Sequence, residues 1–577
     1  MSQKSELRDG MLIDWDVPIP MDDGIVLRAD VYRPPQEGQY PVILTYGPYG
    51  KGLAFQDGYA DQWRVMVAKH PDVAEGSTNK YQNWEVADPE KWVPDGYVCL
   101  RIDSRGAGRS PGYIETHSPR EMQDLCLCIE WAGTQPWSNG KVGLLGISYY
   151  AMNQWHVAWR QPPHLAAIIP WEGASDPYRE VNRHGGIACT FPAKWFPRQV
   201  MTVQHGLGKR GYTSRVTGEF VAGPETLPDE ELARNRGDIR ATAKAHPLCD
   251  EYYRARTPDW SKIVVPLLSA ANWGGQGLHL RGNIEGFVRA ASRKKWLEVH
   301  GLEHWTEFYT RYGVTLQKRF FDYFLKGMNN GWMDQPRVQL QVRQVNGFVL
   351  RGENEWPLAR TRWTRLYLNP ADKTLSWKPV KVQGKTVYDA LGDGATFMTP
   401  PLEQETEITG PMAAKLFVSS STTDADLFLV LRVFAPDGRE IVFQGALDPH
   451  TPIAQGWLRA SHRKLDPELS TEYRPYHPHD GVEPLKPGEV YGLEAEIWPT
   501  CIVVPAGYRI ALTIRGKDYE YSGEGAQLGT VGNLMRGCGP FLHDDPEDRP
   551  AEIYGGKVTL YAGGERESYV LLPVIPK

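Results

Sequence analysis

The clearest pattern along the chain is a set of short apolar runs that stop at glycine or proline and alternate with stretches of helical period. "YPVILTYGPYG" (40–50), "GYVCLRIDSRGAGRS" (96–110), "KVGLLGIS" (141–148) and "LAAIIPWEGASD" (165–176) each read as a strand buried on both faces, running into a loop. Between them, "REMQDLCLCIEWAGTQ" (120–135) and "YYAMNQWHVAWRQ" (149–161) have the 3.6-residue period of helices. Apolar two-sided strands alternating with helices predict a parallel sheet covered on both faces. A leading stretch with an Asp-Gly turn at 23–24 predicts antiparallel strands before it. Residues 52–93 have no clear period and read as an insertion. Residues 191–260 are charged and helical in flavour, and predict a cap laid over the sheet. The alternation resumes with "IVVPLLSAANW" (263–273), "GNIEGFVRAA", "KKWLEVHGLEHW" and the helix "VTLQKRFFDYFLKGM" (314–328). Beyond residue 333 short runs of period two take over, among them "VQLQVRQV", "ADLFLVLRVFAPDGREIVFQ" and "KVTLYA", which predict an all-β sandwich of jelly-roll type. The division that results is 1–190 and 261–333 for the α/β domain, 191–260 for the cap and 334–577 for the β-sandwich.

Composition narrows the field of functions. A chain of 577 residues exceeds one ordinary core and calls for two or three domains. A net charge of −6 leaves no basic footprint for nucleic acid or an anionic membrane. No apolar run is long enough to span a bilayer, and "MSQKSELRDGM" has no apolar signal core, so a cytoplasmic protein is expected. The 7 cysteines lack zinc-finger spacing and read as reduced core thiols. The 20 tryptophans and 28 tyrosines exceed what a core needs and suggest a pocket for an apolar or aromatic ligand.

The chemistry gathers at "GLLGISYY". Gly146 sits two residues before Ser148, at a change from strand to helix, which is the arrangement of a nucleophile elbow. An ordinary helix-entry serine fits the same letters. A hydroxyl needs a base to take its proton, and in this order of elements the base comes late, on a loop after the last strand. His304 in "LEVHGLEHWTEF" occupies that place, while His300 falls on the strand itself. Reading the two as an HxxxH metal pair would require a helix, which Gly301 opposes. "TYGPYGK" (45–51) follows an early strand, so the Tyr49 hydroxyl and the Tyr149 backbone N–H are candidates for an oxyanion hole.

These segments together resemble a family. "ADVYRPP", "PYGK", "IDSRGAGRSPG", "IEWAGTQPWSNGKVGLLGISYYAMNQ" and "TGPMAAKLFVSSSTTDADLF" are similar to the cocaine-esterase and X-Pro dipeptidyl-peptidase-like serine hydrolases, over most of the chain. The resemblance implies an α/β-hydrolase domain, a helical cap and a C-terminal jelly roll. It implies Ser148 as nucleophile, His304 as base, and Tyr49 with the Tyr149 amide as oxyanion hole. The sequence departs from the family at the third triad member. Trp273 stands in "ANWGGQGLHLRGN" where the family's Gly-Trp-x-Asp sequence has its tryptophan, but the acid position falls on Gly275. An orienting acid need only reach the histidine's Nδ1–H, whichever strand carries it. Glu172 emerges where the apolar run of the strand after the elbow helix stops, and is the expected substitute; Asp176, Glu303, Glu251, Glu285 or no acid at all are the alternatives.

The reading is a serine hydrolase cleaving a small-molecule carboxylic ester through an acyl-enzyme, with no cofactor and no metal. Xaa-Pro dipeptidyl-peptidase and amidase activities are the nearest alternatives. A non-catalytic ligand-binding relative, favoured by Gly275 and the tryptophan-rich composition, is the alternative of another class, followed by a metallohydrolase. Neither the natural substrate nor a homo-oligomeric state is legible in the sequence.

Overall fold

The structure, a computed structural model, describes residues 4–577. Its first half is one eleven-stranded sheet. In chain order the strands are β1 Lys4–Arg8, β2 Met11–Pro20, β3 Val26–Arg33, β4 Tyr40–Gly47, β5 Val98–Asp103, β6 Ser138–Ile147 and β7 Leu165–Trp171, then β10 Leu267–Asn272, β11 Lys295–His300, β12 Val338–Gln344 and β13 Gly347–Glu353. A separate two-residue pair, β8 Arg183–His184 with β9 Ile187–Ala188, lies in the cap region. The spatial order is β1-β2-β3-β5-β4-β6-β7-β10-β11-β12-β13. Every pairing from β5 to β12 is parallel, and those at the two ends are antiparallel. β6 and β7 are buried on both faces over most of their length, which is why the sequence shows continuous apolar runs there. Helices Pro119–Gly133, Tyr149–Ala158, Leu280–Arg289 and Arg311–Lys326 cover the faces. The first of them is capped as its sequence dictates, with the Ser118 side chain accepting from the Glu121 N–H and Pro119 at the first turn.

The sheet does not stop at residue 333. "VQLQVRQV" is β12, which pairs in parallel with β11 through Leu297↔Val338 and Val299↔Leu340, and β13 folds back on it. The first sheet therefore continues past the 333/334 boundary, up to residue 353. A hairpin at the end of a sheet alternates with period two just as a sandwich strand does, so periodicity cannot separate them. The expected cap is present as short pieces only, Phe191–Trp195, Asp229–Arg234, Ile239–Ala245 and Glu251–Arg254, joined by turns.

The second half is all β. Two layers are joined edge to edge by two single paired positions, Gly456↔Ile497 and Thr374↔Met398, so the strand path closes on itself as a flattened barrel. One layer is built on Asp426–Phe434 and Arg509–Arg515, the other on the long strands Thr406–Ser420 and Tyr491–Val504. Leu416, Leu429, Leu431, Ile497, Leu512 and their neighbours fill the space between the layers. No helix among the described residues is long and apolar enough to cross a membrane.

Candidate active site

Ser148 sits at the carboxyl end of β6, in the middle of the sheet, at φ 58° and ψ −114°. Non-glycine residues avoid that conformation, and holding it costs on the order of 1–3 kcal/mol. The surroundings hold it in place. The Ser148 N–H donates to the Trp171 and Glu172 carbonyls, and the helix Tyr149–Ala158 starts at the next residue. Gly146, at φ +158°, has no space for a side chain, since a Cβ there would lie 2.5 Å from the Tyr150 Cβ. The second glycine of the usual elbow is replaced by Tyr150. Gly47 makes room for it, because a Cβ at 47 would lie 2.7 Å from the tyrosine ring.

Three neighbouring strands deliver most of the rest of the site from the same edge of the sheet, where open α/β sheets place their ligands. Glu172 follows the last residue of β7, fully buried, at φ 48°. Asn272 ends β10, His300 ends β11 and His304 lies four residues further. The side chains form one line of alternating carboxylates and imidazoles. His304 Nδ1 donates to Glu172 Oε2 at 2.7 Å and His304 Nε2 to Glu85 Oε1 at 2.9 Å. His300 Nε2 donates to Glu172 Oε1 at 2.8 Å and its Nδ1 to Glu298 Oε2 at 2.6 Å. Asn272 Nδ2 donates to Glu172 Oε1 at 3.1 Å. β10, whose following loop lacks the expected acid, thus ends in an amide that holds Glu172.

Burial and charge work against each other along this line. Burial alone would depress the His304 pKa, but Glu172 and Glu85 outweigh it, and it is pushed up to about 10. His300 is pushed up to about 10 for the same reason, burial being overcome by Glu298 and Glu172. Burial raises Glu85 to about 7 against the pull of His304. Glu172 is held below its ordinary value, because the two imidazoles outweigh its burial.

The structure thus brings His304 and Glu172 together, but not yet His304 and Ser148. The Ser148 Oγ lies 3.0 Å from Nε2 of His279, a residue the sequence reading did not single out. The His279 and His304 rings stack nearly parallel, 14° apart, with centroids at 5.3 Å. The alternative acids point elsewhere. Glu303 pairs with Lys69, Glu285 with Arg474 and Glu251 with Arg254, while Asp176 caps the turn at Pro177–Asn182 and pairs with Arg179. Tyr49 packs edge-on against the Tyr149 ring and its hydroxyl accepts from Trp195 Nε1 at 3.2 Å, which leaves its own proton free to donate. The Tyr149 N–H belongs to the first residue of its helix and has no carbonyl in the preceding turn.

Two cavities meet at Ser148. One, of about 760 Å³, runs under the cap between Tyr149, Met152, Phe191, Tyr252 and Leu278. The other, of about 660 Å³, contains Trp84, Glu85 and His304 and is closed by Leu447, Val531 and Phe541 of the β domain. The β domain also holds the histidine loop, since the His304 N–H donates to the Ala446 carbonyl and the Ala446 N–H to the Gly274 carbonyl. A Cβ at Gly274 would lie 2.4 Å from the Gly445 Cα, so the loop that could have carried an acid is packed on the neighbouring domain.

Comparison with known proteins places the fold in a family. A crystallised CocE/NonD family hydrolase from Staphylococcus aureus is 32% identical, with a TM-score of 0.83 over 98% of this chain and 94% of its own. The chain belongs to the CocE/NonD family of hydrolases. The S15 family of X-Pro dipeptidyl-peptidases matches residues 23–306, and the X-Pro dipeptidyl-peptidase C-terminal non-catalytic domain matches residues 330–571. The cocaine esterase of a Rhodococcus species is 24% identical over 97% of this chain and 98% of its own. An α-amino acid ester hydrolase shares the fold, with a TM-score of 0.67 at 18% identity, over 98% of this chain and 97% of its own. Glu85 comes from the aperiodic stretch 52–93, which offered no signal. His279 lies in the very loop searched for an acid and was findable from topology, since it follows β10.

Proposed function

We propose that this α/β-type serine hydrolase cleaves carboxylic esters, with Ser148 as nucleophile, His304 as base, Glu172 as the orienting acid, and Tyr49 with the Tyr149 N–H as the oxyanion hole. The observation that carries the reading is the strained Ser148 sharing a cavity with a histidine whose Nδ1–H is fixed on a buried carboxylate. That carboxylate selects the tautomer whose Nε2 can accept a proton. As the Ser148 Oγ–carbon bond forms, the hydroxyl proton passes to His304 Nε2 and the carbonyl electron pair moves to the oxyanion. The tetrahedral intermediate collapses, the carbon–oxygen bond to the leaving group breaks, and His304 returns the proton to the leaving oxygen. Water then repeats the sequence on the acyl-enzyme and frees the acid.

His304 protonates the leaving group, so the leaving group belongs in the cavity with Trp84 and Phe541. The acyl group then takes the aromatic cavity under the cap. Esters are favoured over Xaa-Pro peptides because Glu85 is the one carboxylate among the described residues lining either cavity, and its charge is already paired with His304 through Oε1, with Oε2 buried and unpartnered. A free peptide amine would have to compete with the base for it.

The test is hydrolysis of short p-nitrophenyl esters by the wild type and Ser148→Ala, with fluorophosphonate labelling to locate the nucleophile. Turnover in the wild type, its loss in the variant and labelling at residue 148 are expected. A wild type inert to esters and amides and unlabelled at Ser148 would sink the reading in favour of a ligand-binding relative.

A further inference from the structure

His279 is held at both ring nitrogens. Its Nε2 lies 3.0 Å from the Ser148 Oγ, and its Nδ1 lies 2.9 Å from the backbone nitrogen of Ala174. The Ala174 amide can only donate, so Nδ1 is the acceptor and carries no proton. The neutral ring therefore has its proton on Nε2, pointing at the serine. Such a ring donates to Oγ and has no lone pair there to receive a proton. Protonating it would set a second hydrogen against the Ala174 N–H. Burial pushes His279 well below its ordinary value, and the His304 cation stacked against it pushes the same way. The ring is 2% exposed, and it lines both cavities at the point where they meet the nucleophile.

We infer that His279 is a further catalytic residue, a neutral donor of fixed tautomer that hydrogen-bonds to the Ser148 Oγ and keeps its own proton throughout the reaction. The inference rests on Ser148 and His304 acting as proposed above. While the serine proton moves to His304 Nε2, negative charge builds on Oγ. A donor already aimed at Oγ stabilises that charge without competing for the proton, and needs no reorganisation to do so. Accepting from His279 also leaves the serine's own hydrogen free to turn toward His304. The two stacked imidazoles thus have opposite duties at one oxygen: one gives a hydrogen bond and the other takes a proton.

The experiment compares His279→Gln, His279→Ala and His304→Gln with the wild type, reading kcat/KM against pH on p-nitrophenyl esters. Fluorophosphonate labelling of Ser148 and thermal melting accompany each variant. Glutamine keeps an N–H donor but cannot titrate in this range. Loss of the donor in His279→Ala is expected to cost about 10²–10³-fold. His279→Gln should recover at least about tenfold of that, with the acid limb of the profile unmoved. His304→Gln should lose both activity and limb. If His279→Gln is as inactive as His279→Ala while still folded, or if its acid limb disappears, His279 is the base and the inference is overturned. If neither His279 variant loses more than about twofold, the contact is incidental and the inference also falls. A wild type that neither turns over nor labels at Ser148 overturns the serine-hydrolase reading, and this inference with it. A His304→Gln variant that keeps its activity removes the base on which the inference rests, and overturns both that assignment and the inference while leaving Ser148 as nucleophile.

Discussion

Glu85→Gln is the most informative single substitution in this site. Glu85 is 2% exposed, and its Oε1 accepts from His304 Nε2, the nitrogen proposed to take the serine proton. In the resting protein His304 is an imidazolium clamped between Glu172 and Glu85. Glutamine keeps the shape and a carbonyl oxygen for that contact but removes the charge. A hydrogen bond between charged partners contributes about 1.5–3 kcal/mol, and its loss falls mainly on the cationic form of His304. At about 1.4 kcal/mol per pH unit, that lowers the His304 pKa by about one to two units. The sign is fixed by the geometry. Two carboxylates raise His304 to about 10, so removing one must bring the neutral base in at lower pH. Glu85 itself titrates near 7, so below that pH the wild type has already lost the charge and the two proteins converge. The difference should therefore be largest between about pH 7 and about pH 10, where the variant's kcat/KM is expected to exceed the wild type's by about tenfold or more. The assay is a pH–rate profile of kcat/KM, which reports the free enzyme, with an acyl group short enough to leave binding unaffected. An acid limb that moves by less than about 0.3 units, or moves upward, would refute the reasoning.

Other perturbations give separate checks. Tyr49→Phe removes the hydroxyl proposed as an oxyanion donor and should lower kcat by about 10²–10³-fold, with KM and the acid limb little changed, in steady-state assays on the same esters. Glu172→Gln leaves His304 Nδ1 without its carboxylate and should lower kcat by about 10⁴-fold; a nearly unchanged rate would mean that the buried carboxylate does not orient the base. Gly274→Ala drives a Cβ into the Gly445 backbone, neither side of which has a flexible end to yield. It should cost about 1–3 kcal/mol in thermal unfolding and reduce activity together with it, since Ala446 moves with Gly445.

The chain's apolar rhythm was enough to set out the parallel sheet, because strands buried on both faces leave an unbroken signature. The glycine before Ser148 marked the elbow, and the topological order marked His304. Glu172 was legible for a physical reason, since a carboxylate placed at the tip of a buried strand has to find a partner. What the linear order concealed is the partner of each of these groups. Glu85 stands in a stretch without periodicity, 63 residues before the serine (148 − 85), and only the fold carries it over the end of β6, where its carbonyl accepts from the Ile147 N–H. Along the chain His279 and His304 are separated by the helix Leu280–Arg289 and by β11, yet in space their rings stack. Alternation could not show that the hairpin β12–β13 joins the first sheet, because it reports one buried face, whichever sheet supplies it.

The hydrogen bonds that tie His304 to Ala446, and Ala446 to Gly274, have a consequence for how the protein comes into being. During synthesis the elbow, Glu172 and both stacked histidines are complete by residue 304, yet the backbone that fixes the histidine loop lies some 140 residues downstream (446 − 304). The wall of the second cavity at Val531 and Phe541 emerges later still. A ribosome-bound chain that has made the whole α/β sheet therefore carries a serine but no armed base. On the proposed mechanism, competence follows the folding and docking of the β domain, which holds the base in place although it contributes no proposed catalytic side chain.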